Sequence, residues 1–230
     1  MSNTSRRPEK RTDEIHEVIT SVNRYNVKNI PLLEEYVKSQ CNSYSASSND
    51  LQANLALLKL YQFNPELLNL DVVLNILVKA LTTLPGNEFI MCMYLLNEQL
   101  LNDDMLVKLL ELKEMLETAR FEGFWDMVLN DPQAKELTDG VKGFEDSIRT
   151  MIADTVSLAH QSASSEFLMA ALNLDESDLQ EFAEQQSWEI KHDGLVVLPL
   201  HKENVAKSTV NSEQVQFEHL TKIIGSASEI

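Results

Sequence analysis

The sequence predicts a mainly α-helical protein that ends in a small unit containing a β-hairpin. Apolar residues recur at helical spacing, between short polar breaks, over most of residues 12–131. Two short β-prone runs within residues 188–198 flank Asp193-Gly194, a dipeptide that accepts the positive φ angles of a two-residue hairpin turn. The 230 residues are enough for one large or two small domains, and such a chain buries roughly 70% of its unfolded surface.

The first part of the chain, residues 12–131, is predicted to be a stack of paired helices. Polar breaks lie at residues 45–50, 64–65, 85–87, 102–104 and 130–132. The clearest helical face carries Val72, Val73, Ile76, Leu77, Ala80, Leu81 and Leu84. Helices joined by short loops pack as antiparallel pairs, and pairs that recur every ~35 to 40 residues suggest a HEAT-like or TPR-like stack. No repeat consensus is met, so the HEAT-like domain rests on spacing alone.

The second part, residues 132–226, is predicted to be a winged-helix domain. Phe144, Ile148, Ile152 and Val156 recur every four residues, which indicates one long amphipathic helix. A second helix is predicted from Asp175, as its cap, to about Gln186, with Leu179, Phe182 and Ala183 on its apolar face. The hairpin follows, with strands in 188–192 and 195–198 and with Trp188 as a core residue. Helix, helix and hairpin in this order are typical of a winged helix.

Charge argues against nucleic-acid recognition by this domain. The chain has 19 basic and 36 acidic residues, a formal net charge of −17. Residues 175–186 contain five acidic residues and no Lys or Arg, whereas a helix that reads DNA must approach a polyanion. The field of the whole chain also repels anionic membranes. We therefore expect a protein-docking module, with no strong direct binding to nucleic acid and no membrane partner.

The termini and cysteines predict an intracellular protein. Residues 1–11, with four basic residues, are expected to be a disordered tail, although a weak nuclear-import or RNA-contacting arm is an alternative. The apolar runs are too short to span a bilayer, and no signal peptide is visible at the N-terminus. Cys41 and Cys92 lie in apolar helical patterns, as buried thiols of a reducing compartment do. The expected location is the cytoplasm, with a nuclear fraction as an alternative.

No catalytic, cofactor or metal site is predicted. Phosphate-binding, nucleophile-elbow and zinc-protease motifs are all missing from the sequence. The five histidines are scattered, with no pair four residues apart. Glu111, Glu114 and Glu117 alternate with lysines, as on a solvated helix face. The bulky group Phe121, Phe124 and Trp125 is expected to anchor the core.

Several runs together carry a family resemblance. They are NLALLKLYQFNP at 54–65, LVKALTTLP at 77–85, GFW at 123–125, GFEDSIR at 143–149 and the Trp188 that opens the hairpin. In order and spacing, across about residues 20–225, they resemble the k subunits of eukaryotic translation initiation factor 3, a PCI-type family. No single run is a chemical signature, but their joint occurrence is specific.

The resemblance implies a PCI-type subunit with no enzymatic activity. Such a subunit supports assembly of the initiation complex on the small ribosomal subunit, which it contacts indirectly, and its closest partner is the subunit called l. The alternatives are a small PCI subunit of the proteasome lid or of the COP9 signalosome, then a winged-helix nucleic-acid binder, and last an enzyme. For any docking role we expect the main contact from the winged-helix part, through the hairpin edge and a final helix, although that helix could instead pack on its own domain. The competing prediction is that the concave side of the N-terminal stack binds the partner. The candidate interface residues are Ile190, Leu195, Val197, Phe217, Leu220, Ile223 and Ile224.

Overall fold

The computed structural model describes residues 8, 11–44, 48–191, 193–206 and 217–227, and in them the chain is mainly α-helical, as predicted. The helices are α1 (Asp13–Thr20), α2 (Ile30–Cys41), α3 (Leu51–Phe63), α4 (Leu70–Leu81), α5 (Glu88–Met93), α6 (Asp104–Glu117), α7 (Phe121–Asn130), α8 (Pro132–Asp139), α9 (Phe144–Ala159), α10 (Ser165–Leu172), α11 (Glu176–Gln186) and α12 (Phe217–Ala227). The strands are β1 (Ser162–Ser164), β2 (Glu189–Ile190) and β3 (Leu195–Val197).

Short polar residues fix where several helices begin. At five helix starts, the capping side chain accepts a hydrogen bond from a backbone N–H in the first turn. The capping residues are Thr12, Asp50, Asp103, Asp131 and Ser164. These bonds satisfy donors that have no partner within the helix. Helix α6 begins at the end of the polar break predicted at 102–104, and the Asp103 carboxylate accepts hydrogen bonds from the N–H groups of Met105 and Leu106.

The predicted apolar faces of α4 and α9 are confirmed. Every predicted member of the α4 face up to Leu81 is buried, and Leu84 packs against the core from the following turn. On α9, Phe144, Ile148, Ile152 and Val156 are all buried. Helices adjacent in sequence pack together, among them α2 on α3, α4 on α5 and α6 on α7. The HEAT-like repeat itself remains a prediction.

The C-terminal part contains one strand that the sequence analysis missed. The three strands form an antiparallel sheet in the order β1-β3-β2, with Ser164 opposite Leu195 and Ile190 opposite Val196. The predicted hairpin is present, but its predicted two-residue turn is wrong. Ile190 lies opposite Val196 and the Lys191 N–H donates to the Leu195 carbonyl, so three positions rather than two separate the paired residues 191 and 195. Gly194 has φ +78° at this turn, whereas Asp193 does not have a positive φ. His192 lies outside the described residues. A helix, a strand, two helices and a hairpin follow one another from α9 to β3, and the winged-helix assignment remains a prediction.

The helix predicted from Asp175 is α11, which ends at Gln186 as expected. Leu179 and Ala183 are buried, and Phe182 packs against the core. The Asp175 side chain, however, makes no capping hydrogen bond, so this cap differs from the prediction. The helix is held by its apolar face, which contributes more to helix stability than a single cap.

One continuous core crosses the predicted domain boundary at residue 131. Buried residues from Ile15 to Leu198 belong to a single apolar cluster, and α8 packs on α4, α6 and α7. The Trp125 indole N–H donates a hydrogen bond of 2.8 Å to the Ala171 carbonyl. Division into domains 12–131 and 132–226 remains a prediction. Because a cut at residue 131 would divide this core, experiments on contacts with a partner need the full chain.

Arg11 corrects the predicted tail. The sequence predicts that Arg11 belongs to the disordered segment 1–11, but its side chain is buried and donates two hydrogen bonds, of 2.7 and 2.6 Å, to the Asp50 carboxylate. A buried guanidinium needs such a partner, because an unpaired charge in the core is strongly destabilising. The remaining tail, apart from Pro8, lies outside the described residues.

Candidate protein-interaction surface

Helix α12 presents an apolar face to solvent. All of its residues are exposed, including Phe217 at 78%, Ile224 at 66% and Ile223 at 63%. Together with Leu220, they lie on one side of the helix, at i, i+3, i+6 and i+7. A short amphipathic helix is stabilised mainly by burial of such a face. The sequence-predicted residues of this helix therefore lie together on one exposed surface.

The candidate residues of the hairpin lie in two different environments. Ile190 is exposed on β2, which is an edge strand of the described sheet. Leu195 and Val197 are half-buried on β3, which lies between β1 and β2 and pairs with both. Only an edge strand offers backbone groups for strand addition. Of these three residues, Ile190 is thus the one placed for that mode of contact, although β2 is only two residues long.

The surface of α11 is acidic. Asp175, Glu176, Asp178, Glu181 and Glu184 are all exposed. Nearby Arg149 is engaged within the fold, because it bonds to Glu145, Asp146 and the Leu172 carbonyl. This face therefore presents negative charge without an available guanidinium, which disfavours contact with a phosphate backbone.

Trp188 is confirmed as a core residue. Only 7% of its surface is exposed, and its ring packs edge-on against Phe182, with ring centroids 5.8 Å apart. Its backbone N–H donates to the Ala183 carbonyl. These contacts join the hairpin to α11. Phe121, Phe124 and Trp125 are buried as well, which confirms that they anchor the core.

The acidic residues of α6 behave as a solvated helix face. Lys108 pairs with Glu111 at 3.1 Å, and Lys113 pairs with Glu117 along the same helix. Lys108 also approaches Asp131, whose hydrogen bond raises the pKa of the lysine and lowers that of the aspartate. Among the described residues, no cluster of three or more His, Cys, Asp or Glu side chains could hold a metal ion. Nor is any described helix both long and apolar enough to cross a membrane.

Both cysteines are free and buried, as predicted. Burial raises the pKa of Cys41 to about 11, although the charge of Lys79 partly opposes this. Burial raises the pKa of Cys92 to about 12, and the neighbouring Glu88 adds to the effect. Because the thiolate is the nucleophile, we expect both thiols to react slowly at neutral pH.

Thiol titration tests this environment. At pH 8 we expect the folded protein to react with a disulfide reagent at least tenfold more slowly than a free thiol, because the proton is retained and access is blocked. After denaturation two equivalents per chain are expected, since Cys41 and Cys92 are the only cysteines. A rapid reaction of either cysteine in the folded state would show that the helix packing around it is open.

Comparisons with known proteins cover nearly the whole chain. A family model described as the CSN8/PSMD8/EIF3K family matches residues 67–209. A protein of Culex quinquefasciatus called eukaryotic translation initiation factor 3 subunit K is 36% identical over 90% of each chain. A protein of Aedes aegypti with the same name is 35% identical over 91% of this chain and 92% of its own. Another, from Phaeosphaeria nodorum, is 36% identical over 95% of each chain.

Proposed function

Because this chain belongs to the CSN8/PSMD8/EIF3K family, we propose that it acts as a non-catalytic docking subunit of translation initiation factor 3. The names of the relatives described above support membership of that complex. In this role the chain contacts other subunits, foremost subunit l, in the cytoplasm, and supports assembly of the initiation complex on the small ribosomal subunit. The observation that carries the docking role is the exposed apolar face of α12.

Exposure of the apolar face of α12 to water is unfavourable, and this favours docking through the helix. A contiguous apolar stripe on this helix is exposed to water, and it consists of Phe217, Leu220, Ile223 and Ile224. Burial of one large apolar side chain contributes roughly 1.5 to 3 kcal/mol, so two such anchors alone account for a hundredfold or greater gain in affinity. An amphipathic helix that places this stripe in a groove or helix bundle of a neighbour is a common mode of protein recognition.

A competing proposal is a small PCI subunit of the proteasome lid or COP9 signalosome. The family description also names CSN8 and PSMD8, but the relatives reported above bear the subunit K name. Mass spectrometry of proteins that co-purify with the full-length tagged chain separates the two. A nucleic-acid-binding role is disfavoured by the net charge and by the exposed acids of α11.

Charged substitutions on the apolar face of α12 test the docking role. The double variant Leu220→Asp with Ile224→Asp is expected to weaken association with the purified partner subunit at least a hundredfold, because it places two carboxylates at the contact. The melting temperature should stay unchanged, since both side chains are exposed in the isolated protein. Isothermal titration calorimetry and thermal unfolding of the full chain measure the two quantities.

The matched control is Lys222→Glu, which makes the same change of −2 in net charge on the opposite side of α12, since Lys222 lies two residues from both Leu220 and Ile224. It should leave the affinity within threefold of wild type. Equal losses from the double variant and from Lys222→Glu would assign the effect to charge or helix content. Full retention of binding by Leu220→Asp with Ile224→Asp, combined with loss in Ile190→Asp, would move the contact to the hairpin edge.

A further inference from the structure

A second exposed apolar region lies far along the chain from α12. It is a groove of about 620 Å³ over one face of α3. A single stripe of α3 forms its floor, with residues at i, i+3, i+4 and i+7. These are Gln52, Leu55, Ala56 and Lys59. Residues of α1 with the turn that follows it, and of α5 with the turn that follows it, form the two sides. This face of α3 therefore has the form of a helix-binding groove.

The rim of the groove is unusually apolar for a surface. Tyr94 is 80% exposed, Tyr25 is 48% exposed and Met91 is 45% exposed. Ile19, below them, is buried, while Leu55 and Leu95 are half-buried. Single exposed apolar residues are common, but a contiguous group around a concave surface marks an interaction site. Tyr and Met are also among the residue types enriched where proteins contact each other.

The charge of the groove is opposite to that of the chain as a whole. Arg24 and Lys59 line it, and none of its described lining residues is Asp or Glu, although the chain carries −17. Arg24 stacks on the Tyr25 ring, with its Cζ 5.0 Å from the ring centroid. Neither cation forms an ion pair with a carboxylate of the described residues. The groove thus combines apolar surface with two cations that an acidic ligand could pair.

We propose that this groove binds an acidic amphipathic helix of a partner protein. The stripe from Gln52 to Lys59 extends about 10 Å along α3, which matches roughly two turns of a bound helix. Two or three apolar anchors of that helix enter the groove, and its carboxylates pair with Arg24 and Lys59. A second copy of this chain is disfavoured by mutual repulsion at −17. Helix α12 lacks the acidic excess, since it carries Glu218 and Lys222.

Site-directed cross-linking identifies the occupant. In a full-length Tyr94→Cys variant, a benzophenone maleimide labels the new exposed thiol, because Cys41 and Cys92 are buried. The labelled chain is assembled into the initiation-factor complex, irradiated and digested, and the linked peptide is sequenced by mass spectrometry. We expect a segment of another subunit with apolar residues at helical spacing and more Asp and Glu than Lys and Arg. Links to a basic segment, to residues 217–227 or to a second copy would overturn the proposal.

Charge reversal tests the role of the two cations. Adding Arg24→Glu and Lys59→Glu to the labelled chain should reduce the cross-link at least tenfold. The control Lys135→Glu with Lys142→Glu makes the same change in charge at exposed lysines of α8 and of the turn after it, and should leave the yield unchanged. Recovery of the tagged chain in the complex is measured in the same samples. An intact complex that gives no cross-link from position 94 would refute this groove as a binding site and would leave the proposed function untouched.

Discussion

Replacement of Asp50 by asparagine is expected to lower the free energy of unfolding by about 3 to 5 kcal/mol, because the change removes a buried carboxylate that pairs with the buried Arg11 guanidinium. Asp50 is 1% exposed, and its carboxylate receives two bonds from Arg11, one of 3.1 Å from the Tyr36 hydroxyl and one from the Ala53 N–H. Burial, with the Asp50 charge next, raises the pKa of Tyr36, so its hydroxyl remains the donor. The asparagine side chain has a similar volume, but one carboxylate oxygen is replaced by an NH₂ group. That group is itself a donor and cannot accept the hydrogen bonds of Arg11, Tyr36 or the Ala53 N–H.

Thermal unfolding of the full chain measures the effect. For a protein of this size the loss corresponds to a drop in melting temperature of roughly 6 to 20 °C. Asp131→Asn is the matched control, because Asp131 also caps a helix and pairs with a cation, Lys108, but on the surface. Its effect should be far smaller, since water screens that pair. Tyr36→Phe, which removes one hydrogen bond, should cost about 1 kcal/mol. Equal shifts for Asp50→Asn and Asp131→Asn would show that Arg11 is solvated.

Sequence periodicity predicted the helical faces well because it specifies them directly. The faces of α4 and α9 follow from spacing alone, and burial confirms each of them. The position of the hairpin was also predictable, since Asp193-Gly194 favours a turn between two β-prone runs, but the turn is one residue longer than predicted because strand pairing sets its register. The same reasoning identified Trp188 as core. These features are local, so they can be inferred from neighbours in the sequence.

Features that depend on distant partners were missed. The strand β1 has the sequence Ser-Ala-Ser, which carries no β-propensity, and is a strand because it pairs with β3. Arg11 lies in a run of basic residues that is typical of a tail, and its partner Asp50 is 39 positions away. The groove over α3 exists because none of the described helices covers that face. Tyr25 and Tyr94 therefore gave no signal in the sequence that would distinguish them from core aromatics.

Replacement of Trp125 by alanine is expected to destabilise the protein by about 3 to 5 kcal/mol, as truncation of a large buried aromatic residue does. Trp125 lies on α7, and its indole donates to the Ala171 carbonyl at the end of α10. Arg149 of α9 lies over the ring, with its Cζ 5.1 Å from the centroid. The residue therefore ties helices on both sides of residue 131, and its loss should weaken the whole core.

The variant Trp125→Phe shows whether that core unfolds as one unit. It keeps an aromatic ring but leaves the Ala171 carbonyl without its donor, which costs about 1 to 3 kcal/mol. Because the chain contains two tryptophans, Trp188 is then the sole tryptophan and its fluorescence reports on the hairpin. Urea transitions followed by this fluorescence and by far-ultraviolet circular dichroism should coincide, as they do for one cooperative unit. The reciprocal variant Trp188→Phe leaves Trp125 as the reporter on α7 and should also give coincident curves. Separate midpoints in both variants would establish two independent domains and limit the role of Trp125 to local packing.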